Sequence, residues 1–558
     1  MAKGLSKSRY TLFCQCPKAL WLRVNKPDEA TVDAGVEARF ESGNEVGDLA
    51  MGLFGPFVEV TTKREDGGLD LKVMVDRTKE EMAKGTEVIC EASFTYERQH
   101  RVENVMLDPD KPLFKCWMES HYCAVDILRK TLGGWAIYEV KSSSFPEFEG
   151  QEAKLEKYAP DIAYQKWVLT QCGVHVTDTY LVCLNSDYVR QGELDIQRLF
   201  AVIDMKELVE NECLKVPARV SQAMKLLAED EEPDLDISEH CMKPYGCAFF
   251  DYCKRQHGIP EDEPTVFDLY RMNFAKKLEH YHAGRVLFED VREEKLSDKQ
   301  QMQVECTLNG TERIDVNGIR EFLDGLSYPL YFLDFETMQQ PVPQYDGQRP
   351  YQQITFQYSL HIKAASKREQ SDTSIGSAER EQARPEVKPS ATADYEHREF
   401  LAPSDGSDPR RSLAEQLCKD IPMNVCTLAY NKGFECGRIK ELASLYPDLA
   451  VHLLNIRDHI KDLLTPFQSG YYYVPAMGGS FSIKSVLPAL FPNEPTLNYH
   501  NLDQRCQNGG DAMTIFPRIQ FMEPEEAKAS REALLRYCEL DTWAMVKVWE
   551  KLRKMAGD

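Results

Sequence analysis

The stretch HYCAVDILRKTLGGWAIYEVKSSS (121–144) sets Asp126 on one side of a turn and Glu139 and Lys141 on the other. Side chains alternate along a strand, so Glu139 and Lys141 share a face, and a hairpin through Leu132-Gly133-Gly134 folds Asp126 against it. Two carboxylates at one point can hold Mg²⁺ or Mn²⁺, with water and a phosphate oxygen in the remaining positions. An adjacent ammonium can orient the attacking water and offset charge growing on phosphorus. Phosphodiester hydrolysis needs that set. An isolated E-x-K would read as a solvated strand face. Here Ile137, Tyr138 and Val140 make the strand apolar, and buried charges require partners.

Two further groups have the right chemistry. Cys241, Cys247 and Cys253 recur with five residues between successive cysteines in HCMKPYGCAFFDYC, while Cys14 and Cys16 lie far upstream in LFCQCPKALWL. Four thiolates suffice for zinc or for an iron–sulfur cluster, and spacing alone does not choose between them. In the second half, LYFLDFET sets Asp334 and Glu336 on one face at the end of a predicted strand. Asn431 and Glu435 follow another strand, and Tyr537 and Asp541 lie four apart on one helix face. Carboxylates so gathered could bind two Mg²⁺ ions about 3.5–4 Å apart, on the attacking and leaving oxygens. Ser480, Ser482 and Lys484 open a helix and read either as a phosphate site or as an ordinary N-cap. Tyr471, Tyr472 and Tyr473 could stack bases, though clustered aromatics more often complete a core. His257, His397 and His459 stand apart from any ligand-like spacing, and Asp458 and Asp462 read as an outer acidic pair or as solvated groups.

The elements that must position these residues are α/β in pattern. A segment at 35–54 has helical spacing; strands are predicted at 120–128, 135–142 and 177–185, with a helix near 160–171. Residues 258–265 read as a linker and 266–325 as polar and mostly helical. Strands come next at 328–336, 354–362, near 397–401 and at 425–431, then several helices and a last one at 524–555. Between them, 363–396 is polar and aperiodic, a flexible insertion. The expected organisation is therefore 1–257, a helical linker region 258–325, and 326–558.

The first half resembles the PD-(D/E)XK nuclease superfamily, and more narrowly the RecB-like iron–sulfur nucleases of the kind associated with CRISPR adaptation, on Asp126 followed by Glu139-x-Lys141. The resemblance implies a restriction-endonuclease-like fold. It implies a structural [4Fe–4S] cluster held by Cys16, Cys241, Cys247 and Cys253, with zinc as the alternative and Cys14 as a second choice for the upstream ligand. Where that family carries Q-x-x-x-Y on the downstream helix, this chain has Asp161 and Gln165; Glu45 stands in for the family's upstream helical histidine, and Glu91 is a further polar contact. The second half resembles the DnaQ-like 3′–5′ exonucleases with four acids and a tyrosine, on an RNase H-like fold. That resemblance makes Asp334, Glu336, Glu435 and Asp541 the acids and Tyr537 the residue that positions water, with Glu435 where the family has aspartate.

The chain is therefore expected to be a metal-dependent nuclease acting on DNA, single-stranded or with free ends. RNA as substrate, and a nucleic-acid-binding protein without chemistry, remain as alternatives. The formal charge of −23 excludes a polybasic binder that grips nucleic acid by bulk field. No apolar run reaches the ~18–20 residues of a membrane span, and the 17 cysteines are thinly spread, so a cytoplasmic protein without membrane contact is expected.

Overall fold

The computed structural model describes residues 3–31, 43–103, 114–146, 152–365 and 395–557. It is α/β, with two compact units. The N-terminal unit comprises Met1–Pro260 together with Gln340–Gln352; the C-terminal unit comprises Glu261–Gln339 and Gln353–Asp558. The helical stretch expected to be a linker region thus groups, from Glu261 onward, with the C-terminal unit. The expected insertion at 363–396 lies for the most part outside the described residues, as does the first part of the segment at 35–54.

In the N-terminal unit, β1 (Lys3–Ser6), β2 (Val58–Glu59), β3 (Val88–Glu103), β4 (Phe114–Lys130), β5 (Trp135–Phe145), β6 (Val176–Asn185) and β7 (Phe200–Asp204) form one mixed sheet. Its order is β2-β3-β4-β5-β6-β7, with β1 added parallel to β4. The β4–β5 hairpin is the one read from its turn, and β6 returns parallel to β5. Three helices position side chains of the site or its cysteines: α1 (Lys7–Gln15), capped by the Ser6 hydroxyl on the Arg9 N–H; α2 (Pro17–Asn25); and α3 (Ala159–Gln171). Helix α3 buries Ile162, Ala163, Val168 and Leu169 against the sheet, in one core with Ile89, Val125, Ile137 and Leu181.

The C-terminal unit is built on a second sheet: β8 (Leu330–Gln339), β9 (Gln353–Lys363), β10 (Tyr395–Leu401), β11 (Cys426–Ala429) and β12 (Ile460–Asp462), in the order β10-β9-β8-β11-β12. The first three run antiparallel, and β11 and β12 are parallel to β8. The near-continuous apolar run of β8 fits a central strand covered on both faces. Helices α4 (Gly433–Leu445), α5 (Ile483–Leu490) and α6 (Pro524–Ala556) complete the frame of the site.

Among the described residues, no helix is long and apolar enough to cross a membrane.

Candidate functional site

In the N-terminal unit the site is made where β4 and β5 part. Their pairing runs from Lys130↔Trp135 to Ile127↔Tyr138 and stops there. The next residues, Asp126 and Glu139, leave the ladder, and the Val140 N–H donates to Asp126 Oδ2 at 2.7 Å instead. Glu139 is fully buried. Its oxygens accept from Lys141 Nζ (2.6 Å), Gln165 Nε2 (2.6 Å) and Lys7 Nζ (3.0 Å). Lys141 also pairs with Asp161 at 2.7 Å. Asp126, Glu139, Lys141 and Gln165 therefore come together, and Asp161 joins them one helical turn before Gln165 on α3.

Lys7 is the member that sequence reasoning missed. Its ammonium stands 3.0 Å from Glu139, 3.8 Å from Asp126 and 3.9 Å from Asp161. The parallel pairing of β1 with β4 brings it there, since Ser6 lies beside Tyr122 and Lys7 opens α1. Glu91 lies across from Asp126, between the pairs Cys90↔Ile127 and Ala92↔Val125, in a left-handed conformation with φ 57°. A non-glycine residue held there stores local strain of the kind that gathers at functional sites. Glu45 lies on a helical segment at 43–50 with its side chain at the surface, and partial loss of solvent alone raises its carboxyl.

Charge sorts these acids. Burial pushes Glu139 up, but Lys141 and Lys7 outweigh it and hold the carboxyl well below its ordinary range. Burial, and then the charge of Glu139, raises Asp126 to about 6. Burial and Asp126 raise Glu91 to about 7. A permanently ionised carboxylate flanked by two that exchange protons near neutrality is an arrangement for cation binding or proton transfer.

The cysteines converge within the same unit. Cys16, Cys241, Cys247 and Cys253 line one cleft with His240 and Phe249. Cys16 caps the N-terminus of α2, where the Lys18 and Ala19 N–H groups favour a thiolate, and burial raises all four thiols. Cys14 faces elsewhere, accepting from Arg219 at 3.6 Å.

In the C-terminal unit, Asp334 and Glu336 lie inside β8, not at its end as the sequence suggested. Pairing with β9 extends the strand to Gln339, with an irregularity between Thr355 and Gln357 beside Glu336. Bulges of this kind re-aim side chains next to active sites. On the other edge, β11 pairs only with Leu330–Phe332, so the sheet opens alongside the two acids. Asp541 and Tyr537, on α6, are buried, and Tyr499 donates to Asp541 Oδ1 at 2.6 Å. Burial raises Asp334 well above its ordinary value, with Asp541, Glu336 and Glu435 adding repulsion; Glu336 is raised by burial and Asp541. Glu435, on the first turn of α4, is 2% exposed. Its Oε2 is buried without a hydrogen-bond partner.

Lys484 donates to Tyr537 at 3.1 Å, and its charge opposes the rise of Asp334 and Glu336. Ser482 is the N-cap of α5, so the capping reading of that segment holds while Lys484 serves the acids. Tyr472 and Tyr473 are core residues. His257 and His459 are held at backbone carbonyls, Asp458 pairs with Arg457, and Asp462 accepts the Asn431 and Lys432 N–H groups ahead of α4.

Burial, foremost, lifts Glu435 to about 8, so the metal-free folded unit keeps a proton that the unfolded chain has lost above its ordinary carboxyl range. Native binding then exceeds unfolded binding between that range and about pH 8, and stability falls as pH rises through the window. In EDTA, denaturant unfolding of wild type is expected to weaken across it and that of Glu435→Gln to weaken less. Equal slopes would remove Glu435 as the cause.

Residues 331–482 match the family model of a domain of unknown function, DUF2779. The match includes Asp334, Glu336 and Glu435 and stops short of Lys484, Tyr537 and Asp541. No curated protein matches the chain.

Proposed function

We propose that the chain is a metal-dependent nuclease acting on DNA, with a RecB-like PD-(D/E)XK N-terminal unit and a DnaQ-like C-terminal unit. The observation that carries this reading is the meeting of Asp126, Glu139, Lys141 and Gln165 where β4 and β5 part, with a cation already among the acids. The residues fit a divalent ion. Lys7 marks a point where three carboxylates converge, and the buried Asp161 Oδ1 and Gln165 Oε1 lack hydrogen-bond partners.

Asp126 and Glu139 would hold Mg²⁺ or Mn²⁺, which polarises a phosphate oxygen and acidifies bound water. Gln165 fixes Glu139 Oε2, and Asp161 fixes the Lys141 ammonium. Lys141 opposes the negative charge that grows on the phosphate. In the other unit Asp334, Glu336 and Asp541 would hold ions, with Glu435 as a further oxygen donor. Lys484 orients the Tyr537 hydroxyl, whose proton burial keeps in place, so that it can position an attacking water.

The cysteine cleft would hold a [4Fe–4S] cluster, with zinc as the alternative, since four thiolates at one cleft suffice for either. The cytoplasm, where such clusters and free thiols persist, is the matching compartment.

The test is anaerobically purified protein with end-labelled single-stranded DNA, duplex DNA and RNA of one sequence, with Mn²⁺ or EDTA. Mn²⁺-dependent shortening of single-stranded DNA is the expected result. Shortening of RNA alone would transfer the reading to an RNA exonuclease. Binding that persists in EDTA with no product under any metal would make the chain a nucleic-acid-binding protein.

A further inference from the structure

A second kind of metal ligand gathers in the C-terminal unit on residues that the nuclease reading leaves unused. His361 on β9 and His397 on β10 are direct cross-strand partners, and their rings stand 4.5 Å apart. Glu539, on α6, meets them: one ligand atom from each of the three lies within 4.8 Å of the other two. His361 is 5% exposed, His397 half-buried and Glu539 exposed, so the group opens to solvent on one side.

What marks this trio as more than three neighbours is the hydrogen bonding behind it. His361 Nδ1 lies 2.8 Å from Thr542 Oγ1, and His397 Nε2 lies 2.9 Å from Ser359 Oγ. The two hydroxyls touch each other at 2.7 Å, and Thr542 Oγ1 reaches the Glu539 carbonyl at 3.1 Å. That carbonyl can only accept. One set of protons satisfies every contact: Thr542 donates to the carbonyl, Ser359 donates to Thr542, and each imidazole donates its N–H to a hydroxyl. Both rings are then fixed as tautomers whose other nitrogens, His361 Nε2 and His397 Nδ1, carry lone pairs. His397 Nδ1 is the atom 4.0 Å from Glu539 Oε1. A hydroxyl holding the far nitrogen of a ligating histidine is the outer-shell arrangement that orients imidazole for a metal.

We infer that His361, His397 and Glu539 bind one divalent transition-metal ion of the zinc class, separate from the ions of the acid cluster. Two imidazoles and one carboxylate select zinc, iron(II) or nickel over Mg²⁺, which prefers an all-oxygen shell. Glu399 follows His397 by two residues on β10 and so lies on the same strand face. The ion would tie the edge strand β10 to α6, the helix that carries Tyr537 and Asp541.

The test uses the full chain, dialysed against Zn²⁺ in excess Mg²⁺, with zinc per chain read by elemental analysis. Wild type is expected to retain one equivalent more than His397→Ala and than Glu539→Ala. Asp334→Asn, which removes no proposed ligand, keeps that equivalent. Thr542→Val leaves the ligands and removes only the outer hydroxyl, so it should weaken zinc by roughly 10–100-fold. Both ligand variants replace residues that are not fully buried, so folding is checked by their melting without zinc. Equal zinc in wild type and both ligand variants would overturn the assignment, as would loss of the same equivalent in Asp334→Asn. None of these readouts depends on cleavage of nucleic acid.

Discussion

Glu139→Ala is expected to cost the N-terminal unit nearly all of its metal-dependent cleavage, a fall of at least ~10²–10³-fold, as for removal of one preorganised charged group from a reacting site. The same change should lower stability by about 3 kcal/mol, the lower end of the range for breaking a buried ion pair. The lower end applies because Lys141 keeps Asp161 at 2.7 Å, Lys7 keeps two weaker partners, and Gln165 Nε2 keeps the Asp161 carbonyl at 3.4 Å. Glu139→Gln separates the two effects. It preserves volume and keeps one acceptor, for either Gln165 or the lysine ammoniums, so part of the stability should return while cleavage does not. Product formation by Glu139→Gln at the wild-type rate would remove Glu139 from the metal site. Urea unfolding of the three proteins in EDTA reads the stability arm without any metal present.

Cys247→Ser carries the second large effect, and it bears on folding rather than on turnover. The free energy of a structural metal site is about 10–16 kcal/mol in small metal-folded domains, against a typical domain stability of about 5–15 kcal/mol. Cys247 shares one cleft with Cys241, Cys253 and Cys16, so the proposed ligand set would span most of the chain from the start of α2 to Pro260. Anaerobically purified wild type should be brown and resist protease in its N-terminal unit. Cys247→Ser should be pale and be cut within it, whereas Cys14→Ser, outside the cleft, should match wild type. A pale wild-type protein that holds zinc would substitute the other metal; a colourless, metal-free and protease-resistant wild type would make the four thiols ordinary interior groups.

The legible part of the first site was the part with short-range signals. The Gly-Gly turn and the two-residue alternation bring Asp126, Glu139 and Lys141 together within one hairpin. Lys7 was illegible because a parallel pairing of β1 with β4, over more than a hundred residues, leaves no mark on local composition. In the second unit Asp334, Glu336, Tyr537 and Asp541 could be placed by strand and helix periods. Tyr499 and Lys484 come from short elements with no strong period, and only packing against α6 shows that they serve the acids. His397 looked isolated for a related reason. Its partner His361 is across the strand, but the polar, aperiodic stretch 363–396 between them hides the pairing from any spacing argument. The strand assignment failed at Asp334 and Glu336 because acidic residues in an apolar run read as a terminus. Continued pairing with β9 carries β8 past them.

The loop Gln340–Gln352 sits between two strands of the C-terminal sheet and yet belongs to the N-terminal unit, where Val342 and Tyr351 pack on its core and the Tyr351 hydroxyl donates to the Ser142 carbonyl next to Lys141. On the ribosome this separates the arrival of the first unit's parts. The chain up to Pro260 must wait for roughly 90 further residues before its last piece is made, on the order of 5–18 s at about 5–20 residues per second. Through that interval the strand that carries Glu139 and Lys141 lacks one of its neighbours. The hairpin that carries Asp126, Glu139 and Lys141 is thereby completed only after the first strand of the second sheet, with Asp334 and Glu336, has been synthesised.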